Sequence, residues 1–212
     1  MISKKNADRK CAALRSYRGF ELCAGTLSNP KSQKFRIAAI SGPMRANRAI
    51  AAAARRGRHG FRDKILLRLI YRHGLRASEA IGLRWSAIDL EAGVIHVERS
   101  KGGRVSTHTM DKDERNDLRK LRAEDPGRLY VFETERGTPL STQGLEYICR
   151  QAGREAGLEV FPHMLRHSAG YCLANQGVDT RLIQEFLGHV SINSTVRYTA
   201  LSPRRLAAVR VR

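Results

Sequence analysis

The stretch "FPHMLRHSAGYCLANQG" at residues 161–177 sets His163 and Arg166 three positions apart in a segment that otherwise reads as a buried helix. That spacing puts both side chains on one helical face and leaves Leu165 and "AGYCLA" to the buried side. By themselves an imidazole and a guanidinium at a helix start are ordinary. Other segments complete a set. Arg76 follows a helix stop in "HGLRASEAIGLRW", and Lys101 stands at a hairpin turn in "SKGGR". His189 follows another helix stop in "LGHVSINSTVRYT", with Tyr198 nine residues later.

These residue types suit transfer of a phosphoryl group to a phenol. Tyr198 is the candidate nucleophile. A phenol titrates near pH ~10, so at neutral pH it needs help to lose its proton. Negative charge builds on the non-bridging oxygens in the transition state. The sequence has no carboxylate cluster for a divalent metal. The guanidinium forks of Arg76 and Arg166 would take that place, because they hold phosphate oxygens bidentately and keep their charge. Lys101 would protonate the leaving oxygen, its pKa lowered by positive neighbours. His163 would accept the tyrosine proton or bond a non-bridging oxygen, and His189 would donate a hydrogen bond to the phosphate. Which histidine handles the proton stays open in the sequence. A covalent phosphotyrosine retains the phosphodiester energy, and there is no glycine-rich phosphate loop, so no cofactor is expected.

Several neighbours have plainer readings. Arg104 lies close enough to Lys101 to compete for its role. His167 points about a quarter turn from Arg166 and reads as structural, bonded to backbone or to a neighbour. Glu79 reads as a partner for a basic residue, and Trp85 as a core or interface residue. Aromatic residues make up 6% of the chain, too few for a platform that stacks single-stranded bases.

The elements that must position these groups are mostly helical. "SGPMRANRAIAAAARRG" reads as a helix, with Ser41 as cap, Pro43 in the first turn and Gly57 at the stop. In "RDKILLRLIYRHG", Ile65, Leu66, Leu69 and Ile70 share a face and Gly74 ends the helix. "ASEAIGLRW" is a shorter helix. The period then changes: "GVIHVER" alternates as a half-buried strand, "KGG" is a tight turn, and "RVSTHTM" runs back. "DKDERNDLRKLRAED" reads as a polar surface helix and "RLYVFET" as a short strand. From there the chain is helical. "TQGLEYICRQAGREAG" closes on Gly157, and the helix opened by Pro162 closes on Gly177. A third runs from an Asp179 cap to Gly188, and the last starts from a Ser191 cap.

The charge narrows the class of partner. Thirty-nine Lys and Arg against twenty Asp and Glu leave +19 at pH 7, a field that attracts polyanions. The longest apolar run is Ala49–Ala54, too short for a membrane span, and no apolar segment of a secretory signal follows the basic start. Nucleic acid is therefore the leading expected partner and an anionic membrane surface the second, with no membrane span. The cysteines, Cys11, Cys23, Cys149 and Cys172, show no C-x-x-C or zinc spacing, as expected of free thiols in the cytoplasm.

The ordered set "GLRASE", "PHMLRHS", "DTRLIQEFLGH" and "STVRYTA" closely resembles the phage integrase, or tyrosine site-specific recombinase, family over residues 38–203. The wording of residues 164–189 is most similar to the small fimbrial phase-switch recombinases. The resemblance implies an α+β, mainly helical catalytic fold with a small antiparallel β-sheet at one edge. It implies site-specific inversion, excision or integration of double-stranded DNA through a 3′-phosphotyrosine, with no membrane partner and with Arg76, Lys101, His163, Arg166, His189 and Tyr198 as the site. It further implies a homotetramer on paired DNA sites, held by exchanged C-terminal tails, accessory DNA-bending proteins, and a place in the nucleoid. Residues 37–212 would form the catalytic domain. Residues 1–36 are fewer than the family's separate clamping domain needs and read as a basic arm. The alternatives are a non-catalytic DNA-binding regulator on the same fold and a nicking-closing activity like that of type IB topoisomerases.

Overall fold

A computed structural model describes residues 43–99 and 105–199. Helix α1 (Pro43–Ala54) packs on α2 (Gly60–His73) and on α5 (Thr142–Ala156). Its inward face is Ala46, Ala49, Ile50 and Ala53, small side chains that let the neighbouring helices approach. Arg48 donates to the Ala156 carbonyl at 2.7 Å and fastens α1 to the C-terminal end of α5. In α2, the apolar stripe Ile65, Leu66, Leu69 and Ile70 is fully buried, as its spacing predicts, and Leu67 joins it. Gly74 ends α2 with φ +58°, a conformation that costs a side-chain-bearing residue more.

After α3 (Ala77–Ile81) and a 3₁₀ turn at Trp85–Ala87 comes the sheet. Strands β1 (Ile88–Asp89), β2 (Val94–Glu98) and β3 (Val105–Thr109) are antiparallel in the order β1-β2-β3. Ile95 faces His108 and Val97 faces Ser106. Ile95 and Val97 are buried while His96 and Glu98 are exposed, the alternation of a strand with one face on the core. The helix expected over "ASEAIGLRW" stops at Ile81 and Trp85 opens the 3₁₀ turn instead, while strand β1 carries no signal in the sequence. Trp85 lies in the core, with the Arg122 guanidinium over its ring.

The polar helix α4 (Lys112–Glu124) docks on α2 through Leu118 and Leu121, while Asp117 pairs with Lys64 and Arg68. The expected strand in "RLYVFET" does not form. The segment makes only isolated bridges, Arg84 with Tyr130 and Glu133 with Pro139. Its backbone partners lie in two separate stretches, Leu83–Trp85 and Thr138–Leu140, and the Glu133 carboxylate takes the Tyr130 N–H. Neither side offers enough consecutive partners for a ladder.

Helices α6 (Pro162–Asn175), α7 (Thr180–Leu187) and α8 (Asn193–Thr199) complete the described residues. The main core holds α1, α2, α5, the sheet and the first turns of α6. A smaller cluster of Tyr171, Ala174, Ile183, Leu187 and Tyr198 lies among α6, α7 and α8. Among the described residues, no helix is long and apolar enough to cross a membrane.

Candidate active site

Two guanidinium groups from distant parts of the chain meet at the C-terminal end of α7. Arg76 caps α3 in an extended conformation. Its backbone N–H donates to Glu79 Oε2 at 2.8 Å, its Nη1 to Glu79 Oε1 at 2.6 Å and its Nη2 to the Gly188 carbonyl at 2.7 Å. Arg166, on α6, is 2% exposed. It donates from Nη1 to the Gly74 carbonyl and from Nη2 to the Leu187 carbonyl, the latter at 2.5 Å. Burial, and then the charge of Arg76, lower the Arg166 pKa to about 10, which leaves it charged at neutral pH.

Glu79 holds this pair together. Its carboxylate bonds Arg76, pairs with Arg99 at 3.0 Å and lies 3.9 Å from Arg166 Nη1. Burial works to raise its pKa. The hydrogen bonds from Arg76 and the charge of Arg99 overcome this and hold it below the ordinary carboxylate value. The expectation that Glu79 partners a basic residue is met by three guanidinium groups.

The imidazoles surround the same turn. His189 follows Gly188, the left-handed cap of α7. Its backbone N–H reaches the Gln184 carbonyl and its Nδ1 lies 2.9 Å from Thr195 Oγ1. Burial, then the charges of Arg166 and Arg76, lower its pKa to about 4. His163 reaches the surface on the Arg166 face of α6. Its pKa is also lowered, first by partial loss of solvent around the ring and then by Arg166, Arg197 and Arg76.

Tyr198 is brought to the site but is not presented to solvent. It is 1% exposed. Its ring stacks on His189 with centroids 6.1 Å apart, meets Tyr171 edge-on at 5.0 Å, and lies against Gly170. Its hydroxyl is 2.7 Å from His167 Nδ1. Burial pushes the phenol up to about 12 against the opposing charges of Arg166 and Arg197. His167 is driven down to about 3, by burial first and then by His163 and Arg197. One hydrogen bond thus joins two neutral groups. His167 does bond a neighbour, as its structural reading has it, and that neighbour is the candidate nucleophile.

Five of the six expected residues, Arg76, His163, Arg166, His189 and Tyr198, therefore converge. Lys101 lies outside the described residues, as do Arg104, Ser41, the basic arm and the tail. The sequence reading missed two participants. Arg197 is exposed on α8 and its charge acts on Tyr198 and three histidines. Arg99 is buried against Glu79. Arg197 stands beside Tyr198 in "STVRYTA" and Arg99 closes "GVIHVER", but neither stretch by itself assigns them a role.

Residues 45–205 match the model of the phage integrase family. The chain belongs to that family. This phage integrase family member is 42% identical to the Type 1 fimbriae regulatory protein FimE of Escherichia coli (strain K12), over 161 residues that cover 72% of this chain and 81% of that protein. The crystal structure of XerA recombinase aligns with a TM-score of 0.67 at 28% identity, over 78% of this chain and 62% of that one. The XerH site-specific recombinase bound to palindromic difH substrate, in a post-cleavage complex, shares the fold with a TM-score of 0.69 at 24% identity, over 78% of this chain and 50% of that one. The tyrosine recombinase catalytic fold expected from the motifs is thus present, and the phage integrase assignment makes the chain a tyrosine recombinase.

Proposed function

We propose that this tyrosine recombinase cleaves and rejoins duplex DNA at specific sites through a 3′-phosphotyrosine on Tyr198. The observation that carries the reading is the meeting of Arg76 and Arg166 at the Leu187–Gly188 carbonyls, with His163, His189 and Tyr198 around them. Those carbonyls mark where acceptor oxygens sit. A phosphate would present charged oxygens to the same forks, and charge-assisted bonds are about twice as strong as neutral ones.

In the forward step the Tyr198 oxygen attacks phosphorus and the bond to the 5′ oxygen breaks. Lys101 supplies the proton that the leaving 5′-hydroxyl takes up. His163 receives the phenolic proton or bonds a non-bridging oxygen, and His189 donates to the phosphate. A 5′-hydroxyl from another strand then attacks the phosphotyrosine and releases the phenol, so bond energy is conserved and no nucleotide is consumed. Attack requires approach to about 3–3.5 Å, and Tyr198 is 1% exposed. The described arrangement is therefore a resting one, in which α8 must shift before the phenol reaches DNA.

The working unit we propose is a homotetramer on two DNA sites, with residues 37–212 as catalytic domain and residues 1–36 as a basic arm. It would act on the nucleoid in the cytoplasm, aided by accessory DNA-bending proteins. The test uses nicked duplexes carrying the site that the protein selects from a randomised pool. Loss of the small fragment past the nick traps a covalent protein–DNA adduct. The parent protein forms it, and Tyr198→Phe binds equally well but forms none. Adduct formation by that variant overturns the assignment of Tyr198. Tight binding without any adduct favours a regulator, and supercoil relaxation without recombinants favours a nicking-closing enzyme.

A further inference from the structure

Arg99 follows strand β2 and stands two positions before Lys101 in the sequence. It is 2% exposed, and its guanidinium bonds in several directions. Nη1 donates to Glu79 Oε2 at 3.0 Å. Nη2 donates to the Phe186 carbonyl near the end of α7 and faces His108 Nε2 at 3.1 Å. Nε donates to Ser106 Oγ on strand β3 at 3.1 Å. The stem is equally constrained. A Cβ on Gly188 would lie 2.7 Å from both Cγ and Cδ of Arg99. Gly188 also holds φ +60°, so the turn that carries His189 and lies on the arginine stem favours glycine there for two independent reasons.

We propose that Arg99 is a positioning residue for strand cleavage. One guanidinium fixes the carboxylate that orients Arg76, the end of α7 that carries His189, and the strand pair that flanks Lys101. The proposal rests on the recombinase reading of this site.

The chemistry explains why arginine is required there. A lysine keeps the charge opposite Glu79 but presents a single donor point. It cannot span a carboxylate, a backbone carbonyl and a hydroxyl that lie in different directions. A buried ion pair is also a poor device for stability alone, because apolar replacements often serve the fold as well or better. Burial works to remove the proton from Arg99, and Glu79 works to retain it.

The test compares the parent, Arg99→Lys and Arg99→Met on the nicked duplex described above. Duplex affinity, melting midpoint and adduct rate at saturating protein are each measured. Arg99→Lys is the decisive variant, because it leaves Glu79 with a positive partner if Arg99→Met fails to fold. The expected result for Arg99→Lys is adduct formation at least 30-fold slower at saturation, with duplex affinity within threefold of the parent and cooperative melting retained. Cleavage within threefold of the parent overturns the proposal. So does a loss of duplex affinity that matches the loss of rate, since it marks plain support of the fold. If the parent forms no adduct, the recombinase reading falls and takes this one with it. If only the Arg99→Lys result fails, this proposal falls alone.

Discussion

The Tyr198 hydroxyl lies 2.7 Å from His167 Nδ1, with Tyr198 1% and His167 2% exposed. The proposed nucleophile, which would have to reach DNA, is therefore held inside the protein by a histidine that the sequence places 31 residues away. His167 Nε2 is buried without a partner among the described residues, so the Tyr198 bond is this ring's polar anchor there.

Removing that anchor loosens the phenol. A buried hydroxyl left unpaired costs about 1–3 kcal/mol, and in His167→Ala the ring can recover water by moving outward. The variant is expected to melt earlier than the parent and to exchange the amide hydrogens of α8 at least tenfold faster. Its adduct should form at least threefold faster, because uncovering of Tyr198 precedes attack. A slower adduct rate with intact duplex affinity would place His167 in the chemical step instead.

His189 depends on Thr195, which is fully buried and lies 2.9 Å from His189 Nδ1. With the hydroxyl donating to Nδ1, the ring proton sits on Nε2, where it can be donated to a phosphate oxygen. The hydrogen bond made by one ring nitrogen thus sets the state of the other. Thr195→Val keeps the shape and removes the hydroxyl, so the adduct rate at saturation should drop at least tenfold with duplex affinity unchanged. Thr195→Ser restores the hydroxyl and should restore most of the rate. Equal loss in both variants would assign the effect to packing.

The sequence displays the parts of this site more readily than their arrangement. Gly74, Gly157 and Gly188 mark true helix ends, since all three hold positive φ. The alternation in "GVIHVER" marks a true half-buried strand. "RLYVFET" has the composition of a strand, but strand formation needs a partner ladder, and its partners are split. The set proposed to face the phosphate is legible because arginine, histidine and tyrosine recur in a family order. The cover on Tyr198 is not, because a phenol poised for attack and a phenol packed on Gly170 have the same sequence. Arg99 is hidden for a similar reason. It closes the stretch "GVIHVER" with nothing in the sequence to name its partners, and only the fold brings Glu79, Ser106 and the Phe186 carbonyl around it.

Acid should weaken the fold through its buried histidines. His108 is lowered to about 3 by burial and then by the charges of His73 and Arg99, His167 to about 3 and His189 to about 4. In the unfolded chain each binds a proton near pH ~6.5, while in the native state each stays neutral well below that. The unfolded state therefore holds more protons between these values, and stability falls as pH drops from ~6.5 toward 3–4. At pH ~5 the loss is on the order of 2 kcal/mol for a fully buried ring. Urea melts at pH 7 and pH 5 should show it, and His108→Gln should lose less between the two than the parent. A parent with equal stability at both values would mean these rings accept protons in the native state.

Gly170 supplies the seat for Tyr198 and gives opposing effects a fair contest. The residue is inside α6, where alanine is favoured over glycine by about 1 kcal/mol. A Cβ there would meet Tyr198 Cε2 and Cζ at 2.8 Å, closer than real Cβ contacts. The ring has little room to retreat, with Tyr171 edge-on to it and His189 stacked beside it. Overpacking of this kind costs about 1–3 kcal/mol, so the clash exceeds the helix gain and Gly170→Ala should be destabilised on balance. The same clash drives the phenol off His167. Combining the substitution with Tyr198→Ala removes the ring and leaves only the helix preference, so on that background Gly170→Ala should become stabilising. Denaturant melts of the four proteins in this cycle measure both signs, and additive effects would mean that the two residues do not touch.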